Sequence, residues 1–176
     1  MKKKSFFYKK AGKLIVIGPT KKEIEKILQA LLLIKKTDKK EYWNAQSRMK
    51  IIFISNMSGF TNEFFMPEKI WFANKSVIGK NDLPWLASLI IHEGFHATQF
   101  KKGKYILPLG NKIELPALRV QKIFLEKIDG ADKKKEIEST FKEKYWSKMA
   151  CDKKSFSYFR HLLDLLENKK INLIKA

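Results

Sequence analysis

The apolar positions of this chain change period along its length. Lys13-Leu-Ile-Val-Ile17 is a continuous apolar run closed by Gly18-Pro19, which predicts a short buried strand. Thr20-Lys-Lys-Glu23 then has the form of a capping box. Ile24, Ile27, Leu28, Leu31 and Leu32 follow at helical spacing, so a helix is predicted to about Ile34. Asp38-Lys-Lys-Glu41 repeats the start signal for a shorter helix toward Arg48, and Lys50–Ser55 returns to a strand pattern. Asn56 to Pro67 reads as a loop, Lys69–Asn74 as a β-rich strand at a sheet edge, and Val77-Ile78-Gly79 as a brief extension. Asp82 as N-cap and Pro84 in the first turn open a long helix to about Phe100. It is apolar on most sides and so predicted to be central. Helices follow over about 113–128, 133–149 and 155–168, with Gly130 ending the first. The pattern is α+β: a small N-terminal sheet, a central helix and further C-terminal helices.

At 176 residues with 44% apolar content, the chain suits one domain spanning 1–176. A single cysteine, Cys151, excludes an intrachain disulfide and a Cys-rich zinc module. No apolar run approaches the ~18 residues of a transmembrane helix, and lysines 9, 10 and 13 interrupt any signal-peptide core. A cytoplasmic location is the expectation. The net charge of +19 would draw an anionic partner weakly to a lysine-rich surface. Yet all the basic residues but Arg48, Arg119 and Arg160 are lysines spread along the chain, and specific phosphate or base readout leans on arginine. A solvated surface is the plainer reading of that charge.

The central helix carries His92-Glu-Gly-Phe-His96, a match to H-E-x-x-H. Residues four apart share a helix face, so both imidazoles can address one metal ion, while Glu93 stands beside it as a base. The plainer alternative is a helix with two hydrogen-bonded core histidines and a surface glutamate. A catalytic zinc takes three protein ligands and a water. Glu114, 18 residues after His96, is the leading third ligand, with Glu126, His161, Asp129 and Asp132 behind it. Glu114 also fits a capping box, Asn111-Lys-Ile-Glu114, and Pro116 complicates the helix start on either reading.

His92–His96 followed by Glu114-x-x-Ala117 resembles the gluzincin-type zincin metallopeptidases, over roughly Trp71 to Glu126. The resemblance implies a small zincin-like fold and Zn2+ held by His92, His96 and Glu114. Glu93 is then the general base assisting attack of zinc-bound water on a peptide or protein substrate. It also implies that strand Lys69–Asn74 lines the cleft and pairs with an extended peptide. The chain departs from larger members in its length and in having Ala117 and Leu118 where an acidic residue usually follows the third ligand. Thr98 and Gln99 are possible substitutes. An oxyanion needs a further donor; His161 is the chosen candidate, ahead of Tyr158, Tyr145 and Tyr105. The rival from another class is a non-catalytic, regulatory zincin-like protein whose basic surface docks on nucleic acid or an acidic partner. Hydrolysis of a non-peptide amide would use the same residues.

Overall fold

Leu14-Ile-Val-Ile17, Ile51-Ile-Phe-Ile54 and Ile70-Trp-Phe-Ala73 are apolar without alternation, the mark of strands covered on both faces. They form the middle of a mixed sheet. The computed structural model describes residues 4–55, 63–65, 70–101, 110–128 and 171–176. The strands are β1 (Lys4–Ala11), β2 (Leu14–Gly18), β3 (Ile51–Ser55), β4 (Glu63–Phe65), β5 (Ile70–Asn74) and β6 (Ile171–Lys175), ordered β4-β5-β3-β2-β1-β6. β2, β3 and β5 run parallel, with Ile15 beside Ile51 and Ile51 beside Ile70. β1 pairs with β2 and β4 with β5 antiparallel, whereas β6 adds parallel to β1. The helices are α1 (Lys21–Thr37), α2 (Lys39–Arg48), α3 (Lys75–Lys80), α4 (Leu83–Lys101) and α5 (Gly110–Glu126). The fold is α+β.

The pleat sends Leu14, Val16, Ile52, Ile54, Trp71 and Ala73 into a core shared with Ile24, Ile27, Leu31 and Ile34 of α1 and Leu86 and Ile90 of α4. Ile17, Phe53, Ile70 and Phe72 form a second cluster on the opposite face, where Phe53 lies 5.3 Å from Phe6 and 5.9 Å from Phe72 between ring centroids. Among the described elements α4 touches α1, α2, α5 and β4. Its predicted central position therefore holds.

Four features differ from the pattern-based expectation. β1 and β6 extend the sheet, so it is not confined to the N-terminal part of the sequence. The stretch read as a loop contains β4, which is the sheet edge, and β5 lies inside, bonded to β3 and β4. Residues 75–80 are helical because Asn74 caps them, its Oδ1 accepting from Ser76 N at 2.8 Å; Lys26 Nζ donates to the carbonyls of Ile78 and Gly79 at the other end. In the Thr20–Glu23 box the Thr20 hydroxyl donates to the Glu23 carboxylate and makes no side-chain cap bond. The predicted helices over 133–149 and 155–168 lie outside the described residues.

The β1–β2 hairpin depends on Gly12, whose φ is +64°. A Cβ there would stand 2.6 Å from Gln46 Oε1, the atom that accepts the Lys13 N–H at 2.8 Å. Left-handed backbone alone costs an L-residue about 1–2 kcal/mol. Gly12→Ala is therefore expected to lower unfolding free energy by roughly 2 kcal/mol or more in urea titration, since the strained backbone and the displaced Gln46 bond add.

Asp38 joins α1, α2 and α5. Its Oδ1 accepts from Glu41 N at 3.0 Å as the α2 N-cap, and its other oxygen meets Lys127 Nζ just beyond α5. Partial burial pushes its carboxyl up, but the Lys127 and backbone hydrogen bonds outweigh it and hold the value below normal. A lowered folded-state value stabilises at neutral pH, and that stability is lost as pH falls below about 4, where the unfolded group takes up its proton. Asp38→Ala should cost about 1 kcal/mol at pH 7. Urea titrations at pH 7 and pH 3 should show a gap between variant and wild type that narrows in acid.

Candidate metal centre on helix α4

α4 starts where the sequence signals it, with Trp85 N donating to Asp82 Oδ1 at 2.9 Å. Two turns on, the side of the helix bearing Ser88, His92 and His96 turns polar inside an apolar setting. His92, Glu93 and His96 are 6%, 5% and 5% exposed. Burial this deep demands that their polar atoms be used. The two rings meet edge to face with centroids 4.6 Å apart, and His92 Nε2 and His96 Nε2 converge to 2.9 Å. Glu93 is not the surface residue that the plainer alternative requires. It lies about 100° around the helix from His92, on the flank that adjoins the His96 side. On the far side, a Cβ at Gly94 would stand 3.5 Å from Ala45 Cα, so the absence of a side chain lets α2 lie close against the motif.

The 2.9 Å separation has two chemical readings. In the metal-free state, one neutral ring donates its Nε2–H to the other. Zinc sits about 2.0–2.1 Å from imidazole nitrogen, so two ligands at a tetrahedral angle stand roughly 3.3 Å apart. The pair is a few tenths of an ångström tighter than that, a gap that small side-chain rotations open. Holding a metal also requires both rings to carry their proton on Nδ1, leaving two Nε2 lone pairs facing inward. The residues thus fit two nitrogen ligands of a zinc site. Among the described residues no group of three or more His, Cys, Asp or Glu side chains surrounds a metal position.

α5 packs on α4. Ala117, Leu118, Gln121 and Leu125 are buried. Gln121 Nε2 donates to Ser88 Oγ at 3.0 Å, which fixes one level of contact. From it, at 1.5 Å per residue, Lys101 lies about 20 Å along α4 and Gly110 about 16 Å back along α5. Parallel helices would leave those ends roughly 36 Å apart, beyond the ~32 Å reach of the eight intervening residues. Parallel packing is therefore excluded, and the levels that follow are those of an antiparallel pair. Counting from the Ser88–Gln121 level, the Glu114 backbone comes about 10 Å along, between the levels of His92 at about 6 Å and His96 at about 12 Å. The side chain of Glu114 lies outside the described ones.

The same count sets the Glu126 backbone apart from the histidines. It falls level with the start of α4, more than two turns from His92 on the wrong side, and is exposed. α5 begins at Gly110, so the Asn111 backbone is already helical. Pro116 stands inside α5 and is accommodated there. Ala117 is fully buried, in keeping with close approach of the two helices. Thr98 does not turn to the histidines: its hydroxyl donates to Gly94 O at 3.0 Å, on the other side of α4. Gln99 falls on the histidine side by spacing. Asp129, Asp132, Tyr105, Tyr145, Cys151, Tyr158 and His161 lie outside the described residues. Ser88 and Gln121 belong to no motif, although Ser88 precedes His92 by one turn on the same face.

The strand expected over Lys69–Asn74 to line the cleft is interior as β5 (Ile70–Asn74), bonded to β3 on one side and, over Ile70–Phe72, to β4 on the other. β4 is the edge strand, and it touches α4. No helix among the described residues is long and apolar enough to cross a membrane. No protein-family model, curated protein or solved structure matches the chain.

Proposed function

We propose that the chain is a zinc-dependent hydrolase of the zincin type that cleaves peptide bonds, with His92, His96 and Glu114 as metal ligands and Glu93 as general base. The observation that carries this reading is the convergence of two buried imidazole Nε2 atoms to 2.9 Å on one helix face, with Glu93 buried beside them. The antiparallel register of α5, which brings the Glu114 backbone between the two histidine levels, supports the ligand assignment.

When bound, zinc supplies Lewis acidity to a substrate carbonyl and to water. The chain's own residues do the rest. The two imidazoles would hold the ion through Nε2, and their burial limits bulk water and strengthens charge interactions. The Glu93 carboxylate accepts a proton from the attacking water and returns it to the leaving amine nitrogen. The strand β4 takes the role first expected of β5: among the described residues it ends the sheet, and such an edge suits an extended peptide.

Zinc-loaded protein is expected to cleave an unstructured protein substrate, to stop when a chelator strips the metal, and to recover when zinc is restored. Zinc binding without cleavage of any peptide would instead favour the binding-only rival.

A further inference from the structure

We propose that Ser88 and Gln121 are positioning residues that set the register of α5 on α4 and so hold Glu114 level with the histidine pair; the inference rests on the metal-site reading above. Ser88 is fully buried and Gln121 is 2% exposed. The Ser88 hydroxyl donates to Trp85 O at 2.7 Å, which commits its proton and leaves its lone pairs to accept the Gln121 amide at 3.0 Å. The arrangement is directional as well as buried.

Such a bond adds a directional constraint to an interface that is otherwise apolar, built on the α5 side from Ala117, Leu118, Phe124 and Leu125. Hydrophobic contact is non-directional. A hydroxyl–amide pair is not: sliding by one turn strands two buried polar groups without partners. It would also carry Glu114 about 5.4 Å along the axis, out of reach of a metal held by His92 and His96. Ser88 stands one turn before His92, so the clamp acts beside the ligands. Gln121 stands two turns after Glu114 on the same side of α5, with Pro116 between them, so the clamp bears on the level of the third ligand through that stretch of helix.

The test is the full-length double variant Ser88→Ala/Gln121→Met. Replacing both partners with apolar groups of similar size leaves no orphaned donor or acceptor, so the metal-free protein should unfold close to the wild-type temperature. Its zinc affinity, measured by competition with a chromophoric chelator, is expected to fall about tenfold to a hundredfold. The visible spectrum of the cobalt(II)-loaded variant should show altered coordination, a signature that a merely structural role would not move. Unchanged affinity and spectrum would overturn the proposal, as would a loss of affinity fully accounted for by unfolding of the metal-free variant. A wild-type chain that binds no zinc would instead overturn the metal-site reading itself, and the two failures are thereby distinguished.

Discussion

Glu93→Gln is expected to lower peptide hydrolysis by at least about a hundredfold while the protein keeps its zinc. The amide nearly matches the carboxylate in size, so the buried site retains its packing. It cannot accept a proton from water at neutral pH, and positioned acid–base catalysis contributes roughly 10²–10⁴-fold. Glu93 is 5% exposed and follows His92 directly on the helix, so a substitution that keeps its size is the one that leaves the buried packing intact. The informative comparison is initial rate on an unfolded protein substrate at equal zinc loading. A variant that cleaves as fast as wild type would remove Glu93 from the mechanism. One that loses zinc along with activity would make it a ligand instead of a base.

The second large effect is on metal retention. Glu114→Ala is expected to weaken zinc binding by more than the tenfold to hundredfold typical of residues that only support ligands. Deleting a ligand takes one of three protein donors away. The variant should fold, because it replaces one polar side chain on a helix with the best helix former. Chelator competition reads the affinity, and circular dichroism checks the helix content. Full zinc affinity in this variant would transfer the third-ligand role elsewhere. Glu126 would not inherit it, because it sits level with the first residues of α4.

What could be read from the chain depended on the length of each element and on the nature of its stabilising contacts. α1, α2 and α4 announce themselves through caps and periodic apolar faces, and Asp38 and Asp82 do cap as their positions suggest. β2, β3 and β5 are apolar runs that any buried parallel strand requires. β4 is three residues long and exists through its pairing with β5, so no local pattern marks it. β6 pairs with β1 from the opposite end of the sequence, a non-local contact that periodicity cannot reveal. β1 is disguised by Lys9 and Lys10 and by adjacent Phe6 and Phe7, which point to opposite faces of the sheet. Residues 75–80 misled because Val77-Ile78 favours strand, whereas the Asn74 cap and the Lys26 contacts decide for helix.

The site was legible in the same uneven way. H-E-x-x-H fixes three residues by spacing within one helix, and the helix delivers them buried and together. Ser88 and Gln121 had no signal of their own, since a serine and a glutamine on amphipathic helices are ordinary until their bond is seen. That bond supplies what the sequence lacked, an axial level that relates Glu114 to the histidines.

The central claim is that His92 and His96 hold a metal ion rather than only each other. Titration of the metal-free, full-length protein with zinc, followed by equilibrium dialysis and metal analysis, tests it most directly. One tightly held zinc ion per chain is expected, reduced to weak or no binding in His92→Ala and His96→Ala proteins that remain folded. Retention of far less than one ion per chain by the folded wild-type protein would contradict it.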